Sequence, residues 1–157
     1  MTLAGMHVFV TGGAQGIGAA IVKDTAQSEA KVTFGDIQDA QGESYAAILR
    51  SEGLEVYYVH CDAGVLESVE KAHEIAVSRY EIVQGLVNNA GVSSNVDPVK
   101  MTSEKWDRFF AVDLKSVWHT ARCVLTAMRA EKKGFYRKYR LYSCQNDFPK
   151  ILSLCWS

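Results

Sequence analysis

No apolar run in this 157-residue chain exceeds the length of a strand, so nothing in it reads as a membrane span. Neither sign of charge is in excess. Lys and Arg number 17 against 18 Asp and Glu, for a formal net charge of -1. That balance removes the electrostatic case for nucleic acid or an anionic membrane as partner. Cysteine is scarce: Cys61, Cys123, Cys144 and Cys155 show no paired spacing, which points to idle thiols in a reducing cytosol. His7, His60, His73 and His119 form no ligand pattern, so no metal is expected. No secretory leader is expected ahead of the first strand, and the expected location is the cytoplasm. There is no linker rich in Pro, Gly or Ser, no internal repeat and no low-complexity segment. What remains, with 48% apolar and 22% charged residues, is the balance of one folded domain with a core.

Glycine, by contrast, is concentrated in one place. Thr11-Gly12-Gly13-Ala14-Gln15-Gly16-Ile17-Gly18 follows the apolar run His7 to Val10 and precedes a helical pattern over 19–28, with Ile21, Val22, Thr25 and Ala26 on one side. Strand, glycine turn, helix is a phosphate-binding geometry. Glycine lets the backbone turn sharply and approach a ligand, and the free amides of the helix start attract negative charge. The next strand, Lys31 to Gly35, runs into Asp36, eighteen residues past Gly18. A carboxylate there suits the hydroxyls of an adenosine ribose.

The rest of the chain alternates in the same way. A helix is expected over 40–52, a strand over 55–60 ending at Cys61-Asp62-Ala63, and a helix over 65–79 with Val65, Val69, Ala72 and Ala76 inward. A fourth strand, 85–87, ends in Asn88-Asn89-Ala90-Gly91. Alternation of this kind requires crossovers and so a parallel sheet with helices on both faces. Ligands bind outside the carboxyl ends of such strands, where Asp36, Asp62 and Asn89 all fall. A long helix capped by Thr102 or Ser103 is expected to run to about Lys133, with Trp106, Phe109, Phe110, Val117, Ala121, Val124 and Met128 on apolar faces.

Residues 1 to about 133 resemble the N-terminal half of a short-chain dehydrogenase/reductase of the classical type. The glycine loop matches that family's TGxxxGxG and Asn88 to Gly91 its NNAG. The resemblance implies a Rossmann-type domain, hydride transfer between NAD(P) and an alcohol or ketone, and a homo-dimer or homo-tetramer. The cofactor-binding set it implies is Gly12, Gln15, Gly16, Ile17, Gly18, Asp36, Ile37, Asp62, Ala63, Asn89, Ala90 and Gly91, with Asp62 by the adenine ring. NAD is expected over NADP. Asp36 would repel a 2′-phosphate, and Gln15 brings no charge to compensate. Asp113 stands where the family has an active-site Asn that helps hold a water. An ionised Asp accepts hydrogen bonds but cannot donate them, so Asp113 is either a weakened relay residue or an ordinary capped carboxylate.

The family pattern then breaks. Its chemistry needs a Ser and a YxxxK pair, the Tyr moving the proton and the Lys lowering the Tyr pKa. Here Tyr136 is followed four residues on by Arg140, Tyr139 by Ser143 and Tyr142 by Asn146. The run 135–140 is basic and aromatic, a composition that also suits a nucleic-acid arm, although the neutral chain gives no further support for one. Back-translated and read one nucleotide later, residues 135–157 permit a strand-five segment with its serine and then a YxxxK. Two readings stay open: an out-of-frame version of the catalytic segment, or a divergent natural tail. Either way 134–157 is expected to be an aberrant, poorly ordered tail. The sheet is expected to be incomplete, ordered 3-2-1-4, with the fourth strand an exposed edge. The chain is expected to lack catalysis, leaving a non-catalytic dinucleotide-binding or interaction protein as the alternative function.

Overall fold

Val8, Phe9 and Val10 sit in one strand, β1 (His7–Thr11), yet belong to two different cores. Side chains alternate across a strand, and both faces of this one are covered. On one face Val8 and Val10 pack with Val22, Ala26, Ala46 and Leu49, contributed by α1 (Gly16–Gln27) and α2 (Asp39–Ser51). On the other, Phe9 packs with Val69, Ala72, Ala76, Val124 and Met128, from α3 (Leu66–Tyr80) and α5 (Ser116–Glu131). The computed structural model describes residues 3–93, 97–131 and 135–138.

β1 lies between β2 (Lys31–Asp36) and β4 (Gly85–Asn88), and β3 (Val56–His60) flanks β2, every pair parallel. The register brings Thr11 opposite Gly35 and Asn88, and Asp36 opposite His60. The ends of four strands therefore finish level. Every residue of β1 and β4 is buried, as expected for strands covered on both sides.

Four expectations are corrected. The order 3-2-1-4 holds, but β4 is not an edge. A fifth strand, β5 (Phe135–Lys138), runs parallel to it with Gly85 opposite Phe135 and Asn88 opposite Lys138. The open amides and carbonyls of a central-type strand favour pairing with any segment of β-forming residues within reach. The rest of the tail, 139–157, and the helix end at 132–134 lie outside the described residues. The long helix is not regular. It comprises α4 (Ser103–Phe110), a π-helical turn Ala111–Lys115, and α5. The Ser116 hydroxyl donates to the Val112 carbonyl and that of Thr120 to the Ser116 carbonyl at 3.0 Å, bonds that bend helices. Finally, α4 buries none of its residues, so Trp106 is exposed and Phe109 and Phe110 are only half-buried. Val65 is also exposed, because it precedes the first turn of α3 rather than belonging to its inner face. Thr102 does cap α4, accepting from Lys105 N at 3.4 Å.

Candidate dinucleotide site

The glycine loop is held by its neighbours before any ligand arrives. Gly12 N donates to the Gly35 carbonyl at 2.7 Å. The Thr11 hydroxyl accepts from Asn89 N at 3.2 Å and Ala90 N at 3.1 Å. The Asn89 side-chain amide donates to the carbonyl of Gly12 at 2.8 Å and to that of Thr11 at 3.2 Å. Asn89 is thus a fastener between the end of β4 and the loop after β1. Two glycines have no substitute here. Gly12 has φ +68° with Ala90 Cα 2.8 Å from where a Cβ would lie, and a Cβ on Gly18 would overlap the Gly12 carbonyl. Side chains at these points would force the turn open.

Asp36 closes β2 at 7% exposure. Its Oδ2 accepts from Ala14 N and its Oδ1 from Gln38 N, each at 3.1 Å. A carboxylate offers about four acceptor positions, so fixing it this way leaves capacity for further donors. The Tyr58 hydroxyl supports the turn from below, shared between the Asp36 carbonyl at 2.9 Å and Asp39 Oδ1 at 2.5 Å. Burial, then the bond to Asp39, pushes the Tyr58 pKa up. The bonds from Tyr58 and His60 hold Asp39 below the usual carboxylate range.

At the end of β3, Asp62 Oδ1 accepts from Gly64 N at 2.9 Å and from Arg108 Nη1 at 3.0 Å. His119, fully buried on α5, has Nδ1 3.1 Å from the Ala63 carbonyl. A carbonyl only accepts, so Nδ1 carries the proton. Cys61 lies in the floor with burial pushing its thiol up to about 12, which keeps it protonated and unreactive. No group of three or more His, Cys, Asp or Glu among the described residues could hold a metal.

These strand ends enclose one cleft of about 360 Å³. Gly12, Gln15, Gly16, Ile17, Gly18, Asp36, Ile37, Asp62, Ala63, Asn89, Ala90 and Gly91 all line it. Asp113 is not among its lining residues. It sits in the π turn, and its Oδ1 accepts from Val92 N at 2.8 Å, tying that turn to the loop after β4. Sequence reasoning missed Gln38, Cys61, Val92, Arg108 and Val112. The first three adjoin predicted residues and follow from strand-end continuity. Arg108 and Val112 come from a helix far along the chain and carry no motif.

Comparison with known proteins decides the lineage. Residues 6–135 match the short chain dehydrogenase family. This chain belongs to that family. Short chain aldehyde dehydrogenase 1 of Euphorbia lathyris is 37% identical over 134 residues, covering 84% of this chain and 46% of that protein. The cyclopentanol dehydrogenase of Comamonas testosteroni is 33% identical over 128 residues, 81% of this chain and 51% of that one. A metagenomic short-chain oxidoreductase solved in complex with NADP superimposes with a TM-score of 0.86 at 26% identity, over 94% of this chain and 67% of its own. A short-chain dehydrogenase/reductase mutant of Serratia marcescens gives 0.75 at 31%, over 80% and 52%. The chain therefore spans about half the length of the curated relatives it matches. Among its described residues, no helix is long and apolar enough to cross a membrane.

Proposed function

We propose that this chain binds a nicotinamide dinucleotide, NAD in preference to NADP, and does not itself turn over an alcohol or ketone. The observation that carries the binding half is Asp36, a buried carboxylate fixed by two amides at the rim of a glycine-lined cleft. The cleft fits the group. The start of α1 would receive a pyrophosphate, Asp36 retains acceptor capacity for ribose hydroxyls, and Asp62 and Ala63 would flank an adenine. Asn89, Ala90 and Gly91 line the cleft and would hold the middle of the cofactor, with Asn89 also holding the loop. Bound NAD supplies a ring that exchanges hydride with a carbonyl or alcohol carbon. Asp36 opposes a 2′-phosphate by charge, and no cationic side chain stands at Gln15 to offset it.

The catalytic half rests on the sequence. No tyrosine in the tail has Lys four residues on, and the family's serine lacks its surrounding strand residues. We read 134–157 as an out-of-frame version of the catalytic segment. Sequencing the gene from the Lys133 codon past the stop tests this: a next frame reading Tyr-Ala-Gly-Ala-Lys and staying open supports it, and a closed frame makes the tail genuine. The intact relative would be a cytoplasmic homo-dimer or homo-tetramer acting on a small alcohol or ketone, without nucleic acid. Binding itself is tested by titrating NADH and NADPH into the full chain. Saturable NADH binding weakened by Asp36→Ala supports the reading, and equal or tighter NADPH binding removes the stated preference.

A further inference from the structure

Arg108 is the one cation lining the cleft among the described residues, and it comes from α4, a helix that buries nothing of itself. Its Nη1 lies 3.0 Å from Asp62 Oδ1 and 2.9 Å from Oδ2. Gly64 donates its amide to the same Oδ1 and lacks the Cβ that would lie 2.8 Å from Arg108 Nη1 and 3.2 Å from Val112. The loop after β3 is thus shaped to admit the guanidinium. With side-chain exposures of 43% for Arg108 and 24% for Asp62, the pair is open to water and adds little to stability. Its consequence is geometric. Together, Arg108 and Gly64 restrict the rotation of the Asp62 carboxylate and leave acceptor capacity on Oδ2.

We propose that Arg108 is a positioning residue for Asp62, so that dinucleotide affinity depends on the seating of α4. This rests on the dinucleotide reading above and goes beyond it in assigning a residue on a distant helix. Arg108 has no direct part in holding the ligand. It holds the carboxylate that does, and it does so from α4.

The test is a double-mutant cycle on the full chain with NADH as probe. Arg108→Met keeps the stem over Gly64 and removes the charge, Asp62→Asn removes the partner charge, and Arg108→Lys retains a donor. The expected result is a loss of about five- to tenfold in affinity for either single variant, within the usual range of coupled neighbours. The double variant should bind no worse than Asp62→Asn alone, and Arg108→Lys should recover part of the loss. A double variant that shows the product of both losses would mean that Arg108 touches the ligand itself, and overturns the proposal. So does an Arg108→Met chain that binds NADH like the unmodified one. If the unmodified chain does not bind NADH, the dinucleotide reading falls and this one with it. Melting each variant without ligand shows whether a loss reflects unfolding, and Lys recovery at unchanged melting temperature separates positioning from a structural role.

Discussion

The helices that follow β1, β2 and β3 along the chain and the helix that follows β4 are built by opposite rules. α1 buries Gly18, Val22 and Ala26, α2 buries Gly42, Ala46 and Leu49, and α3 buries Val69, Ala72 and Ala76. Each places small residues against the sheet and a branched or long apolar one beside them. α4 buries none, and reaches the body through Arg108 to Asp62 and through the π turn whose Asp113 accepts from Val92. Helix stability in proteins comes mainly from packing an apolar face. The first three helices are therefore part of the folding unit, while α4 is attached to it by polar contacts. The glycine-lined end of the cleft belongs to the first region, and Arg108 brings the second to its rim.

The contrast sets an order of expected effects. Leu49→Ala, at a fully buried position of α2, should destabilise the chain by about 2–5 kcal/mol in denaturant unfolding. Acid should be nearly as damaging. Burial lowers the His7 pKa from 6.5 to about 4, where its Nε2 meets the Thr33 hydroxyl at 2.9 Å and its Nδ1 the Glu81 carbonyl at 3.2 Å. The folded state keeps His7 neutral while the unfolded state takes up a proton, so stability is full above pH 6.5 and falls as pH drops toward 4. The loss is on the order of 3 kcal/mol, His73 shifts in the same direction, and His7→Gln should flatten that slope in unfolding measured across the window. Gly18→Ala should cost about 1–3 kcal/mol and abolish NADH binding, because the added carbon meets the Gly12 carbonyl. Trp106→Ala should be the mildest. Trp106 is 49% exposed and its ring lies 4.4 Å, centroid to centroid, from that of Phe110, so the change should stay under about 1 kcal/mol. A Trp106 effect as large as that of Leu49 would erase the distinction between the two regions.

The same distinction explains what the sequence disclosed. Around the glycine loop, local signals agree with one another: the loop lies between strand and helix patterns, and Asp36, Asp62 and Asn89 each follow an apolar strand. Parallel alternation puts these residues at the carboxyl ends of strands, and with the family resemblance, which implied the order 3-2-1-4, the lining of the cleft was legible. Beyond β4 the signals depend on tertiary context. Phe135 to Lys138 reads as a basic aromatic run, and only the availability of the β4 edge makes it a strand. The aromatic residues of α4 read as an inner face by periodicity, but their helix lies over a loop rather than a sheet. Arg108 pairs with a residue 46 positions away, a distance no spacing rule covers. The π turn lies beside hydroxyls that bond back to their own helix, an arrangement that composition does not announce.

The account stands most directly on one titration: NADH into the full chain, followed by nicotinamide fluorescence, with Asp36→Ala alongside and melting temperatures recorded for both. Saturable binding by the chain, weakened at least several-fold by Asp36→Ala in a variant that still melts in one cooperative transition above the titration temperature, is the predicted result. A folded chain that leaves NADH fluorescence unchanged, or an Asp36→Ala variant that binds equally well, would contradict it.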